Sequence, residues 1–354
     1  MSDMKLKMGR RDFFRLAGGG IGIAALSYFL GVRDRVGPAP SDSLPDYYDD
    51  LSGFPTFRAP YLQKDLSLAA FMFLADLPAL TALCEQTLNA SDFLPYRYIP
   101  VTPNALLVYA DMLVSSLDAR DSQIGQIPET EVSFWVLTLA MQKTATGFVP
   151  HHLAWHIPYL FVDESNSLST GREVYGFNKR AASFTKPVNI EDPPFSAHVL
   201  GLEKFGPASI AKNESLLRLE STASESVAAR WTDVNSARTA VSEAIAGNIR
   251  ADWEDDLVKF ATAALTEDIP LIFLKQFRHA SDPHKACYRS IVEAPLRVKK
   301  FYEGGSFRRR HVLKISDLHS HPIKRNLGML NSQEATFSAW MKLDMILEKG
   351  TEYV

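Results

Sequence analysis

Cysteine is scarce in this sequence, in which only Cys84 and Cys287 occur among 354 residues. The chain can therefore form at most one internal disulfide bond. Two interpretations stay open, because an oxidising compartment would allow the two thiols to pair, whereas free cysteines are commonly buried in protein cores.

The sequence also lacks a strong net charge, a phosphate-binding glycine loop and the turn that carries the nucleophile of serine hydrolases. The formal net charge is −3, so no basic field indicates a nucleic-acid partner. No glycine cluster has the spacing of a phosphate loop, and no Gly-x-Ser-x-Gly sequence occurs. Beyond the first 40 residues no apolar run is long enough to span a membrane. With 46% hydrophobic and 22% charged residues, the composition is that of an ordinary globular protein.

The first 40 residues have the features of an export signal. Arg10 and Arg11 are followed by a spacer, two phenylalanines and Arg15, which is the pattern of a twin-arginine motif. A weakly apolar run from Ala17 to Val32 and a proline-rich exit follow in the expected order. This order predicts a bacterial protein that the twin-arginine machinery exports, already folded, to the periplasm or beyond. A membrane anchor formed by the uncleaved signal and a basic start to a cytosolic protein are the alternatives.

Residues 41–354 predict a single, mostly β domain. Aromatic and β-branched segments bounded by Pro, Gly and Asp are typical of strands. By this criterion strands are expected at residues 66–74, 105–114, 132–141, 153–162, 188–190, 198–202, 271–277, 287–292 and 311–315.

Helices are predicted in three places. Asp76 and Pro78 fit the N-cap and first turn of one helix. Residues 213–265 are rich in Ala, Glu, Ser and Arg with helical spacing, which predicts a helical insertion packed on the outside of the sheet. A lid or an oligomer contact is the alternative role of this insertion. A final helix is expected from Gln333 to Leu347.

The chemically most informative segment runs from Gly171 to Arg180 and reads Gly-Arg-Glu-Val-Tyr-Gly-Phe-Asn-Lys-Arg. Lys179 follows residues that are mostly small or apolar, and a second cation comes directly after it. Desolvation and a neighbouring positive charge both disfavour the ammonium form of a lysine, and a neutral amine can attack a ketone to form a Schiff base. A solvated surface pair is the alternative for these two residues alone.

The surroundings of Lys179 resemble the acetoacetate decarboxylase family. In that family a strand that ends in an acidic residue precedes Gly-Arg-Glu, a short aromatic spacer, Pro-Lys and a further basic residue. Tyr159–Ser165 and Gly171–Glu173 match the first two of these elements. The resemblance covers roughly residues 55–205 and 270–332.

On this resemblance Lys179 would form the Schiff base, and Arg180 would be its neighbouring cation. Two positions depart from the family. Asn178 stands where proline is usual, which frees a backbone N–H and can alter how the lysine is presented. Arg180 stands where acetoacetate-specific members have lysine, and it keeps the positive charge.

The resemblance also implies acidic and substrate-binding residues. Ile127–Val132 is similar to the Tyr-x-Glu element that carries a catalytic glutamate, and Glu129 fits that position best. Glu131 is the alternative, because residues two apart in a strand share a face. Asp111 would replace a second acidic residue, and Lys64 would replace a substrate-binding arginine.

Histidines occur in two clusters that superficially resemble metal sites, at residues 151–156 and 317–321. A zinc site would need further ligands and a supporting outer shell. Structural or surface histidines are the better interpretation, so we predict no metal and no cofactor.

The resemblance implies a curved, antiparallel, barrel-like sheet with peripheral helices. It further implies a carbon–carbon lyase that decarboxylates a β-keto acid through a Schiff base and releases CO2 and a ketone. The small keto acid would be the main partner, and a homo-oligomer is compatible with the insertion. The alternatives are a Schiff-base aldolase or dehydratase acting on another keto acid, and a barrel that binds a small ligand without turnover.

Overall fold

The computed structural model describes residues 44, 46–48, 56–90, 94–222 and 229–353, which fall within one compact unit. The predicted export signal lies outside these residues. Within them, no helix combines the length and the apolar character needed to cross a membrane.

Strands make up most of the described chain. In order they are β1 (Tyr61–Leu74), β2 (Tyr96–Pro100), β3 (Asn104–Ser116), β4 (Ile127–Thr144), β5 (Gly147–Val162), β6 (Lys179–Ala181), β7 (Ser183–Thr185), β8 (Phe195–Gly201), β9 (Lys212–Thr222), β10 (Arg230–Trp231), β11 (Leu271–Arg278), β12 (Ala286–Ala294), β13 (Leu296–Ser306), β14 (Arg310–Ile315), β15 (Ser332–Glu334), β16 (Phe337–Leu347) and β17 (Thr351–Tyr353). The helices are α1 (Leu77–Gln86), α2 (Ser165–Val174), α3 (Val234–Ala246), α4 (Asp255–Ala264) and α5 (Ile323–Leu327).

The strands form two sheets. The large sheet has the order β10-β13-β16-β1-β3-β4-β5-β11-β12-β17, with β2 paired to β4 and β6 paired to β5. The small sheet has the order β15-β14-β9-β8-β7. The predicted mostly β fold is therefore confirmed.

Two details of the predicted sheet are wrong. The large sheet is mixed, because β5 pairs in parallel with both β6 and β11. Helix α2 connects β5 to β6, and parallel neighbours need such a crossover. Among the described strands the sheet also ends at the short strands β10 and β17 and does not close into a barrel.

The main core lies between the two sheets. Phe71 and Phe134 of the large sheet are buried against Phe195 and Leu217 of the small sheet. A second apolar cluster uses side chains on the opposite face of the large sheet, such as Tyr61 on β1. Because side chains alternate along a strand, β1, β3 and β4 can serve both clusters at once. The candidate site lies at this second face.

Three predicted elements differ from the structure. Residues 188–190 form only an isolated bridge between Asn189 and Asp192. The predicted insertion begins with a strand, β9, and is helical only in α3 and α4, which pack on β4 and β5. The predicted last helix is wrong, because that segment contains strands β15 and β16 and β16 pairs with both β1 and β13. Pairing on both edges outweighs the helix-like spacing of its apolar residues.

The remaining local features are simple. Helix α1 begins after Asp76 with proline in its first turn, as predicted, although the Asp76 side chain makes no capping hydrogen bond. Both cysteines are free, with Cys84 buried and Cys287 exposed.

Candidate active site

Lys179 is the first residue of β6, and its side chain points into a cavity of about 70 Å³. Strands β1, β3 and β4 and helix α2 supply most of the wall, which is largely apolar. Its apolar side chains include Leu66, Leu68, Val108, Met112, Trp135 and Phe177, and its polar ones include Gln63, Glu129, Glu131, Asn166 and Ser167. Among the described residues that line this cavity, Lys179 is the only cation.

The Lys179 amine makes two hydrogen bonds. Nζ donates to Oε1 of Glu129 over 2.7 Å and to Oγ of Ser167 over 2.5 Å. Lys179 is 7% exposed and Glu129 is 3% exposed, so this ion pair is buried. Burial removes most of the water that would otherwise solvate the pair, and the two side chains therefore depend on each other. The amine also lies 5.4 Å from the ring centroid of Phe177.

Helix α2 supplies two of the residues that contact Lys179, Ser167 and Gly171. The Glu164 carboxylate caps the helix by accepting a hydrogen bond from the Ser167 N–H over 2.6 Å. Ser167, Thr170 and Gly171 are buried, and their spacing puts them on one face of the helix. Gly171 lies against the lysine stem, because a Cβ atom there would be 2.8 Å from Cδ of Lys179.

The turn between α2 and β6 determines the position of Lys179 in the fold. Gly176 has a φ of +81°, and a Cβ atom at this position would lie 2.4 Å from the Lys275 backbone, so only glycine fits. Asn178, which stands where the family usually has proline, donates from Nδ2 to the Pro158 carbonyl over 2.8 Å. Nη1 of Arg172 donates to the carbonyl of Lys179 over 3.3 Å. The Asn178 contact links the start of β6 to β5, and the Arg172 contact links β6 to α2.

Glu131 lines the same cavity as Glu129, as two residues on one face of β4 should. Burial of its carboxyl group raises the pKa of Glu131 to about 7, with a further contribution from the negative charge of Glu129, while Lys179 opposes the shift. The site therefore contains one carboxylate paired with the amine and a second carboxyl group that exchanges its proton near neutral pH.

Arg180 does not lie beside the amine. It follows Lys179 in a strand, so its side chain points to the opposite face, where it is exposed in a different pocket. There it lies near Tyr159 and His321, and its charge adds to burial in lowering the pKa of His321. Arg180 is therefore adjacent to Lys179 in sequence but is separated from its amine by strand β6.

Asp111 and Lys64 also lie outside the cavity lining. Asp111 accepts hydrogen bonds from Thr130 Oγ1 over 2.9 Å and from Lys186 Nζ over 3.0 Å. On β3 the residues on either side of it, Ala110 and Met112, face the cavity instead.

Lys64 is displaced by an irregularity in β1. The register shifts between Gln63 and Leu66, and Asp65 takes a φ of +52°. Gln63 and Leu66 consequently both line the cavity, while Lys64 points out and forms an ion pair with Asp65 at 3.6 Å.

Sequence reasoning missed Ser167 and Gln63. Ser167 lies in a helix that has no clear apolar stripe, although the Asp-Glu-Ser sequence after β5 is a usable start signal. Gln63 depends on the irregularity in β1, for which the sequence holds no signal. Among the described residues, no group of three His, Cys, Asp or Glu side chains is placed to hold a metal ion.

Substitution of Gly171 with alanine is expected to lower activity about 10- to 100-fold, because the new methyl group displaces the lysine stem and misplaces the amine. The side chain can shift, so folding should be little affected. Gly247→Ala is the matched control, since its Cβ atom would meet its nearest neighbour at an ordinary 3.6 Å. Steady-state kinetics and thermal unfolding of both variants test this, and equal activity of the two would contradict the contact.

No protein-family model and no curated protein match this sequence. Solved structures do match, and they share an acetoacetate decarboxylase architecture. Acetoacetate decarboxylase from Legionella pneumophila aligns with a TM-score of 0.55 and 14% identity, covering 89% of this chain and 93% of that one.

Two other enzymes align at slightly lower scores. One is the enduracididine biosynthesis enzyme MppR complexed with the condensation product of pyruvate and imidazole 4-carboxaldehyde (TM-score 0.50, 13% identity, 88% of this chain and 98% of that one). The other is an acetoacetate decarboxylase-like enzyme from Sphingomonas wittichii RW1 (TM-score 0.50, 12% identity, 83% and 93%). The chain therefore has the acetoacetate decarboxylase fold.

Proposed function

We propose that this protein is a carbon–carbon lyase that decarboxylates a small β-keto acid through a Schiff base on Lys179. The observation that carries the proposal is the buried amine, 2.7 Å from Glu129, in a small and largely apolar cavity. Desolvation in an apolar pocket is one way in which a lysine amine becomes a nucleophile toward carbonyl compounds, and the adjacent carboxylate supplies a base for its proton.

The first half of the reaction forms the iminium ion. Attack requires the neutral amine, and Glu129 is placed to accept the departing ammonium proton. The Ser167 hydroxyl fixes the position of the nitrogen. The amine adds to the ketone, and the carbonyl oxygen leaves as water after it has received one proton from the attacking nitrogen and one from the protonated Glu129.

The second half breaks the carbon–carbon bond. The electron pair of the bond to the carboxylate moves toward the iminium nitrogen, CO2 leaves, and an enamine remains. The enamine carbon then takes a proton, for which the neutral form of Glu131 is the second acid in the cavity. Water hydrolyses the resulting iminium, and the ketone and free Lys179 are released.

The apolar wall favours this direction of reaction. A carboxylate loses solvation when it enters a dry cavity, whereas CO2 is neutral, so desolvation raises the energy of the reactant more than that of the product. The volume of about 70 Å³ favours keto acids of the size of acetoacetate over long-chain ones.

The proton on Glu131 predicts a pH dependence. If neutral Glu131 protonates the enamine, activity falls as the pH rises through about 7. The kcat of the Glu131→Gln variant should be about 10- to 100-fold lower than that of wild type below pH 7, and it should not fall further as the pH rises through 7. A kcat profile from pH 5 to 9 measures both effects, and a variant whose kcat falls with rising pH as that of wild type does would contradict the assignment.

The same pKa affects stability. Because its value in the folded state lies above the ordinary value, the folded protein holds this proton more tightly than the unfolded chain. The contribution of Glu131 to stability is therefore present at acidic pH and is lost as the pH rises to about 7. Thermal unfolding of wild type and Glu131→Gln across this range gives an independent readout.

An aldol or dehydration reaction on another keto acid is the second candidate. It is favoured by the absence, within the described cavity lining, of any cation besides Lys179 that could hold a free carboxylate. It is also supported by MppR, a protein of this fold that is complexed with a condensation product of pyruvate and imidazole 4-carboxaldehyde. The third candidate is binding of a small ligand without turnover, which would give the buried Lys179–Glu129 pair no chemical role.

Measurement of CO2 release from acetoacetate and its short homologues tests the proposal. The Lys179→Ala variant supplies the background of spontaneous decarboxylation, and Lys186→Ala is the control for loss of a lysine outside the cavity. Release above background by wild type supports decarboxylation. Consumption of pyruvate with an aldehyde but no CO2 would support the second candidate, and no turnover of any keto acid would support binding alone.

A further inference from the structure

A second, larger pocket lies on the opposite side of β6 from the lysine cavity and has a volume of about 750 Å³. Five cationic side chains line it: Arg172, Arg180, Arg278, Lys285 and Arg289. Among the described residues that line it, none is aspartate or glutamate. The pocket is therefore strongly positive, although the net charge of the whole chain is −3.

These cations converge from separate elements of the fold. Arg172 lies on α2, Arg180 on β6, Arg278 on β11 and Arg289 on β12. All are exposed, so each retains access to a ligand. Within the described part of the chain, none of these four arginines forms an ion pair with a carboxylate.

Two of the arginines are oriented by backbone contacts. Arg172 donates to the carbonyl of Lys179 over 3.3 Å, and Arg278 donates to the carbonyl of Pro283 over 2.5 Å. Backbone anchoring lowers the entropy that a guanidinium group loses when it binds a ligand. The remaining donors of each guanidinium group are suited to paired hydrogen bonds with phosphate or carboxylate oxygens.

Lys285 forms an ion pair with Asp282 at 3.7 Å, so the four arginines carry the unneutralised charge. Like charges in one pocket repel each other, and a ligand of opposite charge relieves that repulsion. The pocket is concave and its floor includes Phe177 and Phe273, which fits a compact molecule rather than a polymer lying across a surface. We propose that this pocket binds a small polyanion that carries several phosphate or carboxylate groups. Among their described lining residues, the pocket and the lysine cavity share Ile157 and Phe177, but none of the five cations of the pocket lines the cavity. The proposal does not depend on the proposed function.

Calorimetric titration with tripolyphosphate and, separately, with citrate tests the site and distinguishes phosphate from carboxylate recognition. We expect one molecule of at least one of these anions to bind per chain, with an affinity that falls as salt is added. The double variant Arg278→Ala/Arg289→Ala should weaken binding at least tenfold. The double variant Arg218→Ala/Arg310→Ala removes the same charge from exposed arginines of the small sheet and should change the affinity less than twofold.

Arg278 also stabilises the hairpin between β11 and β12 through its hydrogen bond to Pro283, so its loss could disturb folding. The single variant Arg289→Ala avoids this problem, and circular dichroism checks that each variant is folded. Hydrogen–deuterium exchange with tripolyphosphate or citrate bound should protect residues 276–289 of the intact protein. The proposal would be overturned if the wild-type protein bound neither anion. It would also be overturned if a second copy of the chain covered the pocket. Equal weakening by the two double variants would also overturn it, because binding would then reflect net charge alone.

Discussion

Substitution of Lys179 with alanine is expected to lower kcat/KM on the order of 10⁴-fold or more, because no other amine can take its place in the reaction. Among the described residues that line the cavity, Lys179 is the only cation.

Alanine also leaves the buried Glu129 carboxylate without its partner, and loss of one member of a buried pair is destabilising. Lys179→Arg separates the two effects, since arginine keeps a cation near Glu129 but does not form a Schiff base. We expect this variant to be folded and inactive in the same kinetic assay. Activity of either variant within tenfold of wild type would show that another group carries the reaction.

Substitution of Glu129 with glutamine is expected to lower kcat by about 10²- to 10⁴-fold. The amide keeps the shape of the side chain and an oxygen that can accept from the lysine, but it cannot take up a proton. The loss should appear in the rate of Schiff-base formation, because Glu129 is the acidic group in contact with the amine.

Rapid-mixing experiments with borohydride quench measure that rate directly. Glu131→Gln provides the control, because it removes a carboxyl group from the same cavity but not the one that contacts Lys179. A Glu129→Gln variant that forms the Schiff base at the wild-type rate would make Glu129 a purely structural partner.

The family resemblance implied that Lys179 and Glu129 belong to one site, with Glu131 as the alternative to Glu129. The structure brings the Lys179 amine and the Glu129 carboxylate into contact although 50 positions separate them along the chain. Alternation along a strand correctly predicted that Glu129 and Glu131 share a face, but it could not tell which of them contacts the lysine. The helix that contributes Ser167 was missed, because its buried face is made of small polar residues and glycine rather than of an apolar stripe.

The predictions for Arg180 and Lys64 show what a sequence pattern does not contain. Adjacency in sequence suggested that Arg180 would act on the amine, but β6 is only three residues long and gave no alternating pattern to reveal the opposite orientation. Lys64 was excluded from the cavity by a backbone irregularity at Asp65. Such an irregularity reverses which side chains face inward without any change in composition.

The error at the last predicted helix has a different origin. Phe337, Trp340 and Met341 have the spacing of a helical stripe, yet they belong to strand β16, which lies between β1 and β13. A strand with neighbours on both edges and protein against both faces carries apolar residues on each face. Its pattern is then no longer strictly alternating and cannot be told from a helix by periodicity.

Borohydride reduction of the protein in the presence of acetoacetate, followed by peptide mass mapping, tests the central claim most directly. We expect a covalent adduct on Lys179 whose mass corresponds to the reduced imine of the ketone product, and no adduct on the exposed Lys186. A folded protein that shows no adduct with acetoacetate or with any other keto acid, or that carries its adduct on a different lysine, would contradict the assignment of Lys179 as the Schiff-base residue.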